Sequence, residues 1–207
     1  MGRSEQKGKP LHLKLEKNWY FAPLPPPQST ANLGVMGVQE FQILSKYNQW
    51  ANRRIFGVVQ TLPDDVYRKD MGAFFGSIHA TLNHILVIDR LWSSRIMGEY
   101  HGIKSLDQIL HDDLEALRKD REIMDEHIIR LTGRLTAGMD GGLNREVHYR
   151  MLKGGEKYVS PARHILLTLF NHHTHHRGQV HCMLTQSGVK DIPPLDIIFY
   201  LRENDGI

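Results

Sequence analysis

The chain has 207 residues, 41% of them hydrophobic and 24% charged, with 13 histidines and a single cysteine. That composition is globular and long enough to bury a core, and one cysteine excludes an intramolecular disulfide and suits a reducing compartment, so the cytoplasm is expected. No apolar stretch approaches the ~20 residues of a membrane span, and no apolar segment follows the basic N-terminal residues, so neither a membrane helix nor a secretory signal is expected.

The net charge of +3 invites a nucleic-acid reading, but its location argues against one. Residues 1–35 hold five of the 26 basic and two of the 23 acidic side chains, which leaves 21 of each sign in residues 36–207. A formally neutral body lacks the concentrated positive patch that phosphate binding needs. Residues 1–35 also carry five of the nine prolines and no sustained period, so they read as an irregular or disordered extension ahead of a domain at 36–207.

From Gln39 the pattern turns helical. Leu44, Tyr47, Ala51, Ile55, Val58 and Leu62 form one apolar stripe, with Pro63 and Asp64 ending the helix. The polar groups of Tyr47-Asn48-Gln49-Trp50-Ala51-Asn52 lie close to that stripe and read as interhelical hydrogen-bonding groups. A second helix is predicted from Phe74 to Ile96, with Ile78, Leu82, Ile85, Ile88 and Trp92 on its apolar face and His84 beside it. Ser105 and Gln108 have the spacing of a capping box for a third helix running to Thr132. Its charged side, from Asp112 through Arg121 to Glu122, reads as a solvated face. Residues 133–143 read as a loop. Val147, Tyr149 and Met151, a Lys153-Gly154-Gly155-Glu156 turn and Lys157-Tyr158-Val159 predict a small β-hairpin. Ser160 and Pro161 then open the last long helix, Gly188 closes it, and Leu195 to Leu201 predict a short C-terminal helix.

The chemistry is concentrated in Asn171-His172-His173-Thr174-His175-His176-Arg177-Gly178-Gln179. Along one face of this helix run Ile165, Leu169, His172, His176, Val180 and Met183. Histidines on the middle rungs of an apolar stripe leave ring nitrogens buried and costly unless each finds a partner. His172 and His176 are spaced i, i+4, so their imidazoles lie one above the other and can share an ion. The pairs His173/His176 and His172/His175 compete, but neither lies on an unbroken apolar row. No Glu follows His172, so the general base of a zincin motif is missing. Two ligands fall short of a functional site, and His84, mid-helix on a facing element, is the best third. Cys182 lies ~120° around the helix from His176 and reads as a core thiol.

Tyr47 to Asn52, Phe74-Phe75-Gly76-Ser77, Thr81 to Trp92 and Leu169 to Gln179, with Leu195-Asp196 near the end, resemble the DinB (DinB/YfiT-like) family across residues 36–207. The resemblance implies an all-α fold: a four-helix bundle (up-down-down-up) with a small β-hairpin before the last long helix and a short C-terminal helix. It implies a divalent metal ion on three histidines, which map onto His84, His172 and His176. It also implies a homodimer, a link to stress response, and relatives that include thiol-dependent S-transferases.

Three neutral imidazoles leave an ion its full charge and open positions. The expected function is a metal-dependent enzyme that activates a low-molecular-weight thiol for transfer to a small-molecule substrate, or water for hydrolysis. Arg177 and Asp89 are candidates to orient ligands or a substrate carboxylate, or equally to form structural salt bridges. The alternative is a non-enzymatic protein whose metal is structural or sensory. All-nitrogen ligation suits zinc, nickel or iron, and no nucleic-acid or membrane partner is expected. Ligation requires neutral imidazole, so binding should weaken as pH falls through the free-histidine range near ~6.5.

Overall fold

A computed structural model describes residues 37–204; the expectation for residues 1–35 lies outside them. Four long helices make the bundle: α1 (Val38–Val59), α3 (Ile78–Met97), α4 (Leu114–Thr136) and α5 (Ala162–Gln186). A short α2 (Asp64–Arg68) follows α1, the strands β1 (Glu146–Arg150) and β2 (Lys157–Pro161) precede α5, and α6 (Ile197–Asn204) ends the described chain. Helix α1 packs on α4 and α5, and α3 packs on α5 and α4, so α1 and α3 are diagonal across the bundle. The two strands form an antiparallel hairpin in which Val147 faces Ser160 and Tyr149 faces Tyr158.

Local chemistry sets the helix ends. Ser77 caps α3 by accepting from Ala80 N at 3.1 Å, and Asp113 caps α4 by accepting from Ala116 N at 2.7 Å. Gly98 stops α3 with φ +74°, and Glu99 N then reaches back to Ser94 O at 2.8 Å; a side chain at that left-handed position would be strained. Helix α1 ends at Val59 with Gln60 as its cap, ahead of Pro63, and Pro63 stands instead at the N-cap of α2. Pro161, rather than Ser160, stands at the cap of α5. Ser160 is occupied in β2, where its hydroxyl lies 3.3 Å from that of Tyr149.

The larger departure is between α3 and α4. Residues 98–113 form an irregular crossing segment, and the Ser105–Gln108 capping box does not form. Gln108 Oε1 instead accepts from Lys104 N at 3.0 Å. The segment's backbone is taken up by the side of α3: Asn83 Oδ1 accepts from Leu110 N and His111 N, both at 2.9 Å, and Asn83 Nδ2 donates to His111 O at 3.0 Å. Tertiary partners have replaced the helical ones that periodicity predicts. The second predicted helix also starts later than expected, with Phe74 and Phe75 in the turn before Ser77.

The interior is divided. One apolar core lies towards the hairpin and includes Phe41, Trp92, Ile128, Leu131, Leu166 and Leu169. A second includes Ile55, Val59, Ile78, Leu86, Leu117 and Val180. Between them every long helix contributes polar groups: Asn48 and Asn52 from α1, His84 and Asp89 from α3, Arg121 and Asp125 from α4, and His173, His176 and Arg177 from α5. This polar layer is where the sequence placed its histidines. No helix among the described residues is long and apolar enough to cross a membrane.

Candidate metal centre

Helix α3 brings His84 to α5, where it meets His172 and His176. One nitrogen from each of the three rings lies within 4.8 Å of the other two, and His84 Nε2 is 3.1 Å from His172 Nε2. Ring centroids are 4.2 Å apart for His172 and His176, and 4.7 Å for His84 and His176. Among the described residues this is the one cluster with three prospective ligands. The trio predicted from spacing is therefore brought together, and neither His173 nor His175 belongs to it.

The outward nitrogens show which atoms are free. His84 Nδ1 donates to Leu106 O at 2.6 Å, from the irregular segment that Asn83 clamps to α3. His176 Nδ1 faces Gln179 Oε1 at 2.8 Å. An imidazole that donates from Nδ1 presents a lone pair at Nε2. His172 Nδ1 is buried without a hydrogen-bond partner. Burial pushes His84 down to about 4 and His176 down to about 3, and it lowers His172 as well, helped by the neighbouring His176 and His84. All three rings are thus neutral at pH 7. Three neutral nitrogen donors converge, and the two with outer partners hold lone pairs at Nε2, which fits a divalent ion.

Phe75 covers this cluster. Its ring stacks on His84 with centroids 3.8 Å apart and meets His176 edge-on at 5.6 Å. Phe74 extends the aromatic wall, 4.8 Å from Phe75 and half-exposed. Periodicity assigned this pair to the start of a helix and so missed it. No carboxylate among the described residues hydrogen bonds any of the three imidazoles.

Asp89 and Arg177, the sequence candidates for orienting substrate, do not reach the cluster. Both are buried in a separate network with His173, Arg121, Asp125, Asn48 and Asn52. His173 Nε2 donates to Asp89 Oδ1 at 2.5 Å, Arg121 donates to Asp89 Oδ2, and Arg121 Nη2 lies 3.0 Å from Asp125 Oδ1. Asn52 Nδ2 donates to Asp125 at 2.9 Å, and Arg177 donates to Asn48 and, at 3.2 Å, to Asn52. The hydrogen-bonding expectation for Asn48 and Asn52 holds. Arg121, expected on the solvated face, is only 3% exposed; hydrophobic patterning sends charges outward and cannot see a buried partner. Burial pushes His173 down to about 4 despite Asp89, so it is neutral. Burial also acts to raise Asp89, but His173 and Arg121 outweigh it and hold the carboxyl below the usual range.

Cys182 corrects another expectation. The thiol is exposed rather than in the core, because the core face of α5 at that level is supplied by Met183 and Leu184.

The sequence model of the DinB family matches residues 36–205. The chain is also similar to protein DinB of Bacillus subtilis (strain 168), 29% identical over 153 residues that span 72% of this chain and 87% of that protein. The family match takes in every described element of the bundle and all three clustered histidines, and by it this chain belongs to the DinB family.

Proposed function

We propose that the chain is a metal-dependent enzyme working at the three-histidine centre, with His84, His172 and His176 holding a divalent ion and a small thiol as the group transferred. The observation that carries this reading is the convergence of three neutral imidazoles, with the Nδ1 atoms of His84 and His176 engaged elsewhere. An ion held there supplies Lewis acidity, lowering the pKa of a thiol or water that reaches it. Hydrolysis needs a base to manage the proton of water, and among the described residues no carboxylate is hydrogen bonded to the cluster, which favours thiol transfer. Phe74 and Phe75 give the acceptor an apolar wall to lie against, and Phe75, stacked on the His84 ring, keeps water off that side. Asp89 and Arg177 contribute by holding helices, not by touching substrate. A cytoplasmic homodimer remains part of the proposal, and zinc, nickel and iron are the candidate ions.

The test is turnover by metal-loaded protein with a panel of low-molecular-weight thiols and apolar electrophiles, alongside ester and amide hydrolysis. Thiol consumption that His84→Ala abolishes supports the reading. Metal-replete protein that turns over nothing in either panel refutes it.

The depth of the ligands favours a second reading, in which the ion staples α3 to α5. His84 and His176 are only 3% and 6% exposed. A fall in melting temperature of tens of degrees on chelation, with no turnover, would select that reading.

A further inference from the structure

One side chain outside the trio touches a ring of the cluster through a hydrogen bond among the described residues, and it lies one turn beyond it. Gln179 Oε1 sits 2.8 Å from His176 Nδ1, and on its other side Gln179 Nε2 sits 3.2 Å from His175 Nε2. An amide can be turned over, and its two orientations have opposite consequences for His176. With the oxygen towards the ring, Nδ1 keeps the proton and Nε2 keeps its lone pair. With the nitrogen towards the ring, Nδ1 must accept, the proton moves to Nε2, and that atom can no longer bind an ion. His84 faces no such choice, because its outer partner is the Leu106 carbonyl, which can only accept.

We infer that Gln179 is a positioning residue of the metal centre: with its oxygen towards Nδ1 it fixes the His176 ring and selects the tautomer with a free Nε2, while His175 braces the Gln179 side chain from its other side. His175 suits this role because it reaches Gln179 but stands outside the cluster. The i+3 and i+4 spacings from His176 and His175 to Gln179 place the chain of three on one face of α5. The inference rests on the metal reading above and assigns a purpose to the fourth histidine of the motif. Outer partners of this kind are worth about 10–100-fold in metal affinity.

The experiment uses purified full-length protein stripped of metal and titrated with cobalt(II) against a chromophoric chelator. Ligand-field spectra and melting of the metal-free forms are recorded alongside. Gln179→Leu removes the acceptor and should weaken cobalt about 10–100-fold, with an altered spectrum and unchanged metal-free melting. Gln179→Glu keeps an acceptor at Nδ1 and should bind at least as tightly as the wild type. His175→Ala should cost less than Gln179→Leu. The inference is overturned if Gln179→Leu matches the wild type in affinity and spectrum, if Gln179→Glu is as weak as Gln179→Leu, or if His175→Ala is the weakest of the three. A wild type that binds no cobalt, like His84→Ala, removes the three-histidine reading itself and this role with it.

Discussion

Replacing Asp89 with Asn should destabilise the metal-free bundle more than any surface change. Asp89 is fully buried and accepts from two donors on two different helices, His173 on α5 and Arg121 on α4. An asparagine has one acceptor oxygen for those two donors and turns its own NH₂ towards the other. The Arg121 guanidinium, itself buried, then keeps only Asp125 as a charged partner. Burial pushes the Asp125 carboxyl up to about 6, so this remaining counterion is lost as pH falls below that value. Leaving one member of a buried ion pair uncompensated costs about 3–5 kcal/mol, against a total of about 5–15 kcal/mol for a domain. With a urea slope of about 1–3 kcal/mol/M, the unfolding midpoint should fall by roughly 1–5 M. Urea unfolding of chelator-treated wild type and Asp89→Asn, followed by circular dichroism, measures this directly. Arg121→Met combined with Asp89→Leu should cost less than the sum of the two single changes, because each removes the charge the other leaves stranded. A midpoint shift in Asp89→Asn worth under ~1 kcal/mol would refute the reasoning, since it is below the floor of the buried-pair range.

Two further outcomes follow from the buried rings. Burial pushes His84, His173 and His176 down to about 4, 4 and 3 in the fold, below the ~6.5 of an unfolded chain. The unfolded state therefore takes up protons first, so metal-free stability is complete above pH ~6.5 and drains away as pH falls towards 4. Urea midpoints between pH 4 and 8 check this, and a midpoint flat from pH 7 to 5 would contradict it. By the same displacement, metal should be retained well below the free-histidine range that unstructured imidazoles imply. Asn83→Ala frees Leu110 N and His111 N and loosens the segment that delivers the Leu106 carbonyl to His84; it should lower cobalt affinity about tenfold or more, and a chelator competition with wild-type affinity would count against it.

The ligand trio was legible because its signal is periodic. His172 and His176 interrupt an apolar row, and His84 sits at matching depth on the facing helix. Other features of the site carry no period. Leu106 looks like a helix residue in sequence, yet it serves through a backbone carbonyl in a segment held open by Asn83. Phe75 lies in a turn, where hydrophobicity suggested the start of a helix. Arg121 reads as a solvated charge because its compensation comes from Asp89 on another helix. Cys182 misled for a related reason: spacing gives its angle around the helix from His176, but not which part of that circumference the neighbouring elements cover. Gln179 was within reach of sequence reasoning, since it stands three residues after a ligand, but only geometry shows which end of its amide faces the ring.

The metal content of four variants tests the central claim most directly. His84→Ala, His172→Ala, His176→Ala and His175→Ala are purified in parallel, loaded with the same divalent ion, desalted and analysed by mass spectrometry for metal per chain. The account predicts that each of the first three loses most of its metal while His175→Ala retains a content close to wild type. Undiminished metal in His84→Ala would contradict it, because the site would then not be the one that joins α3 to α5.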